Sequence, residues 1–139
     1  MPEAGYEFFE HTADIGLRAR GPTREALFIH AAQGLTELLV EQSVIAAQET
    51  RDVTLRAESL EALFVAWLKE LLFWFMTDRF VASQYALTVE DTQATGRVQG
   101  GRFDPSRHSC GTEVKGVTYH QLRVQQTPHG WEAAVILDV

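Results

Sequence analysis

Cysteine is almost absent from this chain of 139 residues, which contains Cys110 alone. A single cysteine excludes an internal disulfide framework and a zinc site built from several thiolates. This usage is typical of a protein in a reducing cytoplasm. Cys110 could pair with His108 or His120 as a nucleophile, but nothing in the sequence fixes an activating cation or an orienting third group. We therefore predict no catalytic cysteine.

Positive charge is also scarce. The chain has 12 lysines and arginines against 19 aspartates and glutamates, which gives a net charge of -7 and a pI near 5.1. Such a protein has no basic field with which to hold a nucleic-acid backbone. If RNA matters to this protein, we expect it to do so through a partner.

Long hydrophobic runs and sorting signals are absent. The richest apolar run, residues 60–76, is interrupted by Glu61, Lys69 and Glu70 and falls short of the ~18–20 apolar residues of a membrane span. The first five residues have neither a basic region nor an apolar core, so we predict no export signal. No low-complexity segment, repeat or linker divides the chain. We expect a single cytoplasmic domain over residues 1–139.

Common catalytic motifs are absent as well: there is no P-loop, Rossmann fingerprint, HExxH or GxSxG. The glycine-rich segment 96–101 lies between strand patterns and opens no helix, so it does not indicate a phosphate cradle.

The last ten residues, 130–139, carry the clearest pattern. Apolar residues occupy both faces of an alternating segment, which predicts a strand covered on both sides, near the centre of a sheet. Asp138 lies beside the terminal carboxylate, and two such groups repel unless a cation joins them. Asp138 either simply reaches solvent at a sheet edge or contributes to a cation site.

The remaining pattern predicts a two-layer α+β domain, in which two helices pack on one face of a mixed β-sheet. Thr23 and Ser59 are predicted N-caps of the helices. Phe73, Trp74 and Met76 make the last turns of the second helix apolar nearly all round, which favours a central buried helix. The predicted order is β-β-α-β-α-β-β-β-β, with helices at 24–41 and 60–77 and strands at 6–10, 15–20, 49–58, 80–90, 95–102, 114–125 and 130–139.

The polar set His11, Asp14 and Asp138 is the best candidate for chemistry. Hard divalent cations take oxygen ligands, and carboxylates that meet at a sheet end would form a weak Mg²⁺, Mn²⁺ or Ca²⁺ site. His11 alone is better explained as an N-terminal strand residue bonded to backbone. Spacing does not establish whether Asp14 meets the end of the last strand. Glu113 and Lys115 could be a solvated pair.

Five segments of the chain form a recognisable set. They are His-Thr-Ala-Asp-Ile-Gly at 11–16, Leu-Phe-Ile-His-Ala-Ala-Gln-Gly-Leu at 27–35, Leu-Lys-Glu-Leu-Leu at 68–72, Gly-Thr-Glu-Val-Lys-Gly-Val-Thr-Tyr-His at 111–120 and Ile-Leu-Asp-Val at 136–139. Taken together and in this order, they resemble the archease family over essentially the whole chain. The block Gly-Thr-Glu-Val-Lys and the Asp-plus-apolar ending are specific, whereas the helix pattern alone is not. This chain has Gly116 where family members often have alanine.

The resemblance implies a non-enzymatic helper of the RtcB-type RNA ligase. That ligase uses GTP and Mn²⁺, passes through a guanylylated histidine, and joins a 2′,3′-cyclic or 3′-phosphate end to a 5′-hydroxyl end in tRNA splicing and RNA repair. Archeases promote the guanylylation step and allow multiple turnover. The resemblance also implies that Asp14 and Asp138 bind a divalent metal, with Val139 contributing an oxygen. His11, Lys115, Tyr119 and His120 fall in family motifs and are expected to be neighbours of the site or partner contacts.

The charge suggests a mechanism for such a helper. An acidic tip formed by Asp14, Asp138 and the C-terminus could reach the ligase's metal-rich active site and shuttle a cation there, or reorganise the ligase's own metal site. The alternative is a chaperone-like binding module that modulates RNA-processing or RNA-modifying enzymes without a metal. A metal-dependent hydrolase is the weakest alternative, because no residue stands out as its base. The sequence leaves the oligomeric state open.

Overall fold

The computed structural model of the chain describes residues 5–11, 14–41 and 45–139. The described part contains two helices and nine strands. In chain order they are β1 Tyr6–His11, β2 Asp14–Gly21, α1 Arg24–Leu39, β3 Val40–Glu41, β4 Glu49–Arg56, α2 Leu60–Asp78, β5 Phe80–Val89, β6 Gln93–Arg102, β7 Ser109–Cys110, β8 Gly116–Thr127 and β9 Gly130–Asp138.

Both helices begin where their capping residues predict. The side chain of Thr23 accepts a hydrogen bond from the Ala26 N–H at 3.1 Å, and that of Ser59 accepts one from the Ala62 N–H at 3.1 Å. Each bond satisfies a backbone donor that has no partner within the helix. The first helix ends two residues earlier than predicted, because Val40 leaves helical geometry and enters β3.

The predicted α+β class with two helices is confirmed. Within the described residues the strands form three sheets, with the orders β1-β2-β9-β8, β3-β7 and β4-β6-β5, instead of one continuous mixed sheet. Every strand pair there is antiparallel. Short connections, such as the two residues between β8 and β9, join antiparallel neighbours and cannot span a parallel crossover.

Strand β9 lies between β2 and β8, as the pattern of the last ten residues predicts. Both of its faces are buried from Ala133 to Leu137. The inner face joins the core beneath the helices. Ile136, on the outer face, pairs with Gly16, and the ring of Phe9 lies so close over Gly16 that a Cβ there would be 2.2 Å from the ring. Phe9 therefore covers part of the outer face.

Helix α2 forms the centre of the core but is not buried all round. Trp67 is fully buried and its Nε1–H donates to the Phe28 carbonyl of α1 at 2.8 Å. Phe73 and Met76, by contrast, are each 59% exposed, so the prediction that the last turns are enclosed was wrong at these two positions. The helix packs on β8 and β5 through one side, and Phe73 and Met76 lie on another. No helix in the described ranges is long and apolar enough to cross a membrane.

Candidate functional site

Asp14 and Asp138 lie at the same end of the four-stranded sheet. Asp14 is the first residue of β2 and Asp138 the last of β9, and the two strands are antiparallel neighbours with Ile15 paired to Leu137. Extending this register by one residue places Asp14 opposite Asp138. Residues in such positions have Cβ atoms ~4.5–5.5 Å apart. The topology thus brings together two carboxylates that are far apart in sequence.

The two carboxylates lie on the outer face of the sheet. Leu137 and Leu17 belong to the core, and side chains alternate between faces along a strand. Asp14 and Asp138 consequently lie on the face opposite the helices. Asp138 is exposed and Asp14 is half-buried. A cation or a partner can therefore reach Asp138 from solvent.

Strand β8 keeps the space beside Asp138 open. Gly116 pairs with Asp138, and a Cβ placed on Gly116 would meet no described atom within 4 Å. The backbone N–H of Lys115 donates to the Asp138 carbonyl at 2.7 Å, which fixes the last residue of β9. Gly116 therefore leaves Asp138 accessible, and the hydrogen bond from the Lys115 backbone restrains Asp138.

The segment 111–115 is itself anchored to the rest of the fold. The N–H groups of Gly111 and Thr112 donate to the carbonyls of Leu39 and Leu38 at 3.0 and 2.7 Å. Val114 is buried in the core. This specific sequence block is therefore a rigid connection between the end of α1 and the carboxylate end of β9.

The other residues singled out in the sequence lie at different distances from this end. His11 pairs with Asp14 in the β1–β2 ladder, but its side chain lies outside the described structure. Tyr119 and His120 occupy an irregular stretch of β8 between Thr118 and Arg123, where the register shifts. Tyr119 is 56% exposed and faces α2: the Lys69 Nζ lies 5.3 Å from the centroid of its ring.

The donor set fits a hard divalent cation in an open site. Asp14 and Asp138 each carry a carboxylate, and Val139 follows Asp138 directly. No group of three or more His, Cys, Asp or Glu side chains gathers anywhere in the ranges 5–11, 14–41 and 45–139. Further ligands would have to be oxygens of Val139, other carbonyls or water, a ligand set that Ca²⁺ and Mg²⁺ commonly accept.

A cleft that no sequence pattern indicates lies at the C-terminal end of α2, and we call it the α2 cleft. It has a volume of about 490 Å³. Residues 112–115, which belong to the Gly-Thr-Glu-Val-Lys block, form one wall of the cleft. That block is the one sequence feature that could have indicated the cleft. The lining residues are Leu39, Phe75, Met76, Arg79, Cys110, Thr112, Glu113, Val114 and Lys115.

The pairing of Cys110 with His108 gains no support from the geometry. The Nδ1 of His108 accepts a hydrogen bond from the Asp104 N–H at 2.8 Å, and Cys110 is exposed in the short strand β7. The histidine ring is thus held by its own loop.

The fold is that of a two-helix α+β protein with an acidic end to its central sheet. Comparison with known proteins gives the family: the model of the archease protein family (MTH1598/TM1083) matches residues 6–139, and this chain belongs to the archease family. The chain is 34% identical to Protein archease of Methanosarcina mazei, over 100% of both chains. It is 32% identical to Protein archease of Pyrococcus furiosus, over 96% of this chain and 98% of the relative.

Solved structures show the same architecture. The solution structure of Methanobacterium thermoautotrophicum protein 1598 superposes with a TM-score of 0.83 at 33% identity, covering 97% of this chain and 99% of that one. The crystal structure of an archease from Thermotoga maritima, described as a possible chaperone, superposes with a TM-score of 0.63 at 21% identity and 94% coverage of both chains. The second likeness concerns the fold alone. The family predicted from the sequence is confirmed.

Proposed function

We propose that this protein is an accessory activator of an RtcB-type RNA ligase and not itself a catalyst. In this role it promotes guanylylation of the ligase and its multiple turnover in tRNA splicing or RNA repair. The observation that supports the proposal is the position of Asp14 and Asp138 at the ends of adjacent strands in a chain of the archease family.

The acidic end would hold a divalent cation, Ca²⁺, Mg²⁺ or Mn²⁺, through Asp14, Asp138 and the terminal carboxylate of Val139. When bound, the cation supplies positive charge where phosphates or carboxylates of the partner can share it. The chain's own contribution is to hold the two carboxylates in place. The β2–β9 ladder sets their spacing, and the Lys115 N–H restrains Asp138.

The overall charge directs the protein to a ligase and not to RNA. At a net charge of -7 it is attracted to a cationic, metal-rich pocket and repelled by a phosphate backbone. The charge supports a protein partner over direct RNA binding, and in this proposal RNA is contacted only through the ligase. The open position beside Gly116 lets the exposed Asp138 approach a concave site.

The test is ligation with a limiting amount of cognate RtcB-type ligase, GTP and Mn²⁺, with and without this protein. The expected result is a rise from about one product per ligase molecule to many. Asp14→Asn and Asp138→Asn should each abolish this rise. Asp52→Asn, which changes a carboxylate on β4 with a side chain 80% exposed, is the matched control and should leave it intact. No rise with the wild-type chain contradicts the proposal.

A metal-independent chaperone-like module is the second candidate. It is favoured by the description of the Thermotoga maritima relative as a possible chaperone and by the exposed Phe73 and Met76. Suppression of the aggregation of an unrelated unfolded protein in excess EDTA, together with no effect on the ligase, would support this candidate over the first.

A further inference from the structure

The exposed apolar side chains of this protein are concentrated beside α2. Phe73 and Met76 are each 59% exposed and Tyr119 is 56% exposed, more than any other large apolar residue of the described part. Lys69, Phe73 and Met76 follow one another at helical spacings of four and three, so they share one side of α2. The Lys69 Nζ lies 5.3 Å from the Tyr119 ring centroid. These four side chains form one continuous strip.

The strip leads into the α2 cleft, because Met76 belongs to both. The apolar lining of the cleft comes from Leu39, Phe75 and Val114, all buried. At about 490 Å³ the cleft is large enough to receive an aromatic or long aliphatic side chain. The strip and the cleft together are an apolar surface with a pocket at one end.

Cations surround this apolar surface on a protein of net charge -7. Both lysines of the chain, Lys69 and Lys115, lie on it, and Arg79 lines the cleft. Within the described residues none of these three forms an ion pair with a carboxylate. One acidic residue, Glu113, also lines the cleft. The surface is locally positive although the protein as a whole is acidic.

We propose that the strip and the α2 cleft dock a segment of the ligase in which an apolar side chain is flanked by carboxylates. The apolar side chain fills the cleft, where a desolvated anchor contributes most of the binding energy, and the carboxylates pair with Lys69, Lys115 and Arg79. The inference rests on the proposed function for the identity of the partner. It adds that the residues that dock the ligase differ from the aspartates that activate it.

The α2 cleft is connected to the acidic end of the sheet through Lys115. Lys115 lines the cleft, and its backbone N–H donates to the carbonyl of Asp138. A partner anchored in the cleft is thus held at the end of the sheet where Asp138 lies.

Charge also argues against a second copy of this chain or RNA as the molecule that binds this surface. In a two-fold self-association the same patch faces itself, so three cations on each copy would meet three like charges. RNA would pair its phosphates with the cations, but it would leave the apolar cleft unfilled and meet an acidic protein.

The experiment measures the dissociation constant for the cognate RtcB-type ligase by isothermal titration calorimetry. Phe73→Ser and the pair Lys69→Glu with Lys115→Glu should each weaken binding by about tenfold or more. The matched controls are Phe8→Ser, on β1 and 37% exposed, and Arg56→Glu, exposed on β4. Both should bind like wild type. All of these positions are exposed, and unchanged thermal unfolding will show that each variant folds.

A second readout separates the inference from the proposed function. The double variant Asp14→Asn with Asp138→Asn should lose multiple turnover but weaken binding less than the strip variants do. If wild type binds the ligase and the strip variants bind equally well, the docking surface is wrong and the proposed function stands. If wild type does not bind the ligase, both fail. Dimerisation of the wild-type chain that Phe73→Ser abolishes, seen by light scattering, would overturn the inference in favour of a second copy.

Discussion

Gly116 pairs with Asp138 across the β8–β9 ladder, and no described atom fills the space that a side chain at position 116 would take. The smallest residue therefore stands beside the most exposed carboxylate of the candidate site. The ladder needs no glycine here, because the backbone of Gly116 is not in the left-handed region.

Replacement of Gly116 by alanine should stabilise the protein. The new methyl group meets open space, and the unfolded chain loses conformational freedom, so the free energy of unfolding should rise by about 0.4–1 kcal/mol. Gly96→Ala is the control, because Gly96 has φ 154° and its Cβ would lie 2.0 Å from the Ala86 carbonyl oxygen. That substitution should cost more than about 2 kcal/mol. Urea unfolding measures both, and a destabilising Gly116→Ala would mean that the space is filled.

Addition of Mn²⁺ or Ca²⁺ should raise the melting temperature of the wild-type chain, since a ligand that binds only the folded state stabilises it by mass action. Removal of the metal with EDTA should reverse the rise. Asp138→Asn should abolish the response, because one of two side-chain carboxylates is lost, while Asp52→Asn should keep it. A melting temperature that does not depend on the metal at millimolar concentrations would refute the site.

Trp67→Phe should destabilise the junction of the two helices. The substitution removes the hydrogen bond from the indole N–H to the Phe28 carbonyl and leaves part of a fully buried volume empty. The combined cost should be about 2–3 kcal/mol by urea unfolding. Trp74→Phe is the comparison, because Trp74 is 7% exposed and no described acceptor binds its indole N–H. It should cost less, and an equal cost would show that the hydrogen bond adds nothing.

Stability should fall between pH 10 and 12. Burial raises the pKa of Tyr85 to about 12. Burial, with the hydrogen bond to Glu37, also raises the pKa of Tyr6 to about 12. Between the unfolded pKa of 10 and the folded value only the unfolded state loses the proton, so each tyrosine lowers the free energy of unfolding by up to about 1.4 kcal/mol per pH unit. The effect is smaller for Tyr6, which is the less buried.

Below pH 10 this stabilisation is fully present, so the unfolding free energy should show no tyrosine-dependent slope there. Tyr85→Phe should remove the larger part of the slope above pH 10. Urea unfolding at pH 9, 10, 11 and 12 measures it. An unchanged slope in the variant would assign the alkaline transition to other groups.

Local signals predicted the elements that local forces determine. Thr23 and Ser59 supply the first backbone acceptors of their helices, and the alternation in 130–139 follows from a strand covered on both faces, so each could be found from neighbouring residues. The placement of Asp14 and Asp138 at the same end of the sheet depends on pairing between β2 and β9, which are far apart in sequence. Periodicity within each strand does not predict which strands pair.

The sequence pattern did not predict which apolar residues of α2 are exposed. Phe73 and Met76 fit the apolar pattern of α2, and burial is the usual state of such residues. Their exposure follows from which side of α2 the sheets cover, a property of the tertiary arrangement. The two-residue strands β3 and β7 are too short to show any period, so their small sheet could not be predicted either.

The pairing of β2 with β9 has a consequence for biosynthesis. One of the first strands of the fold gains its neighbour only when β9 has left the ribosome, so the four-stranded sheet cannot close during translation of residues 1–129. Contacts between such distant segments form slowly, and the waiting chain exposes the apolar edge of β2. We therefore expect the nascent chain to expose apolar surface until β9 arrives, and a ribosomal stall or nonsense mutation before β9 should leave the four-stranded sheet unclosed.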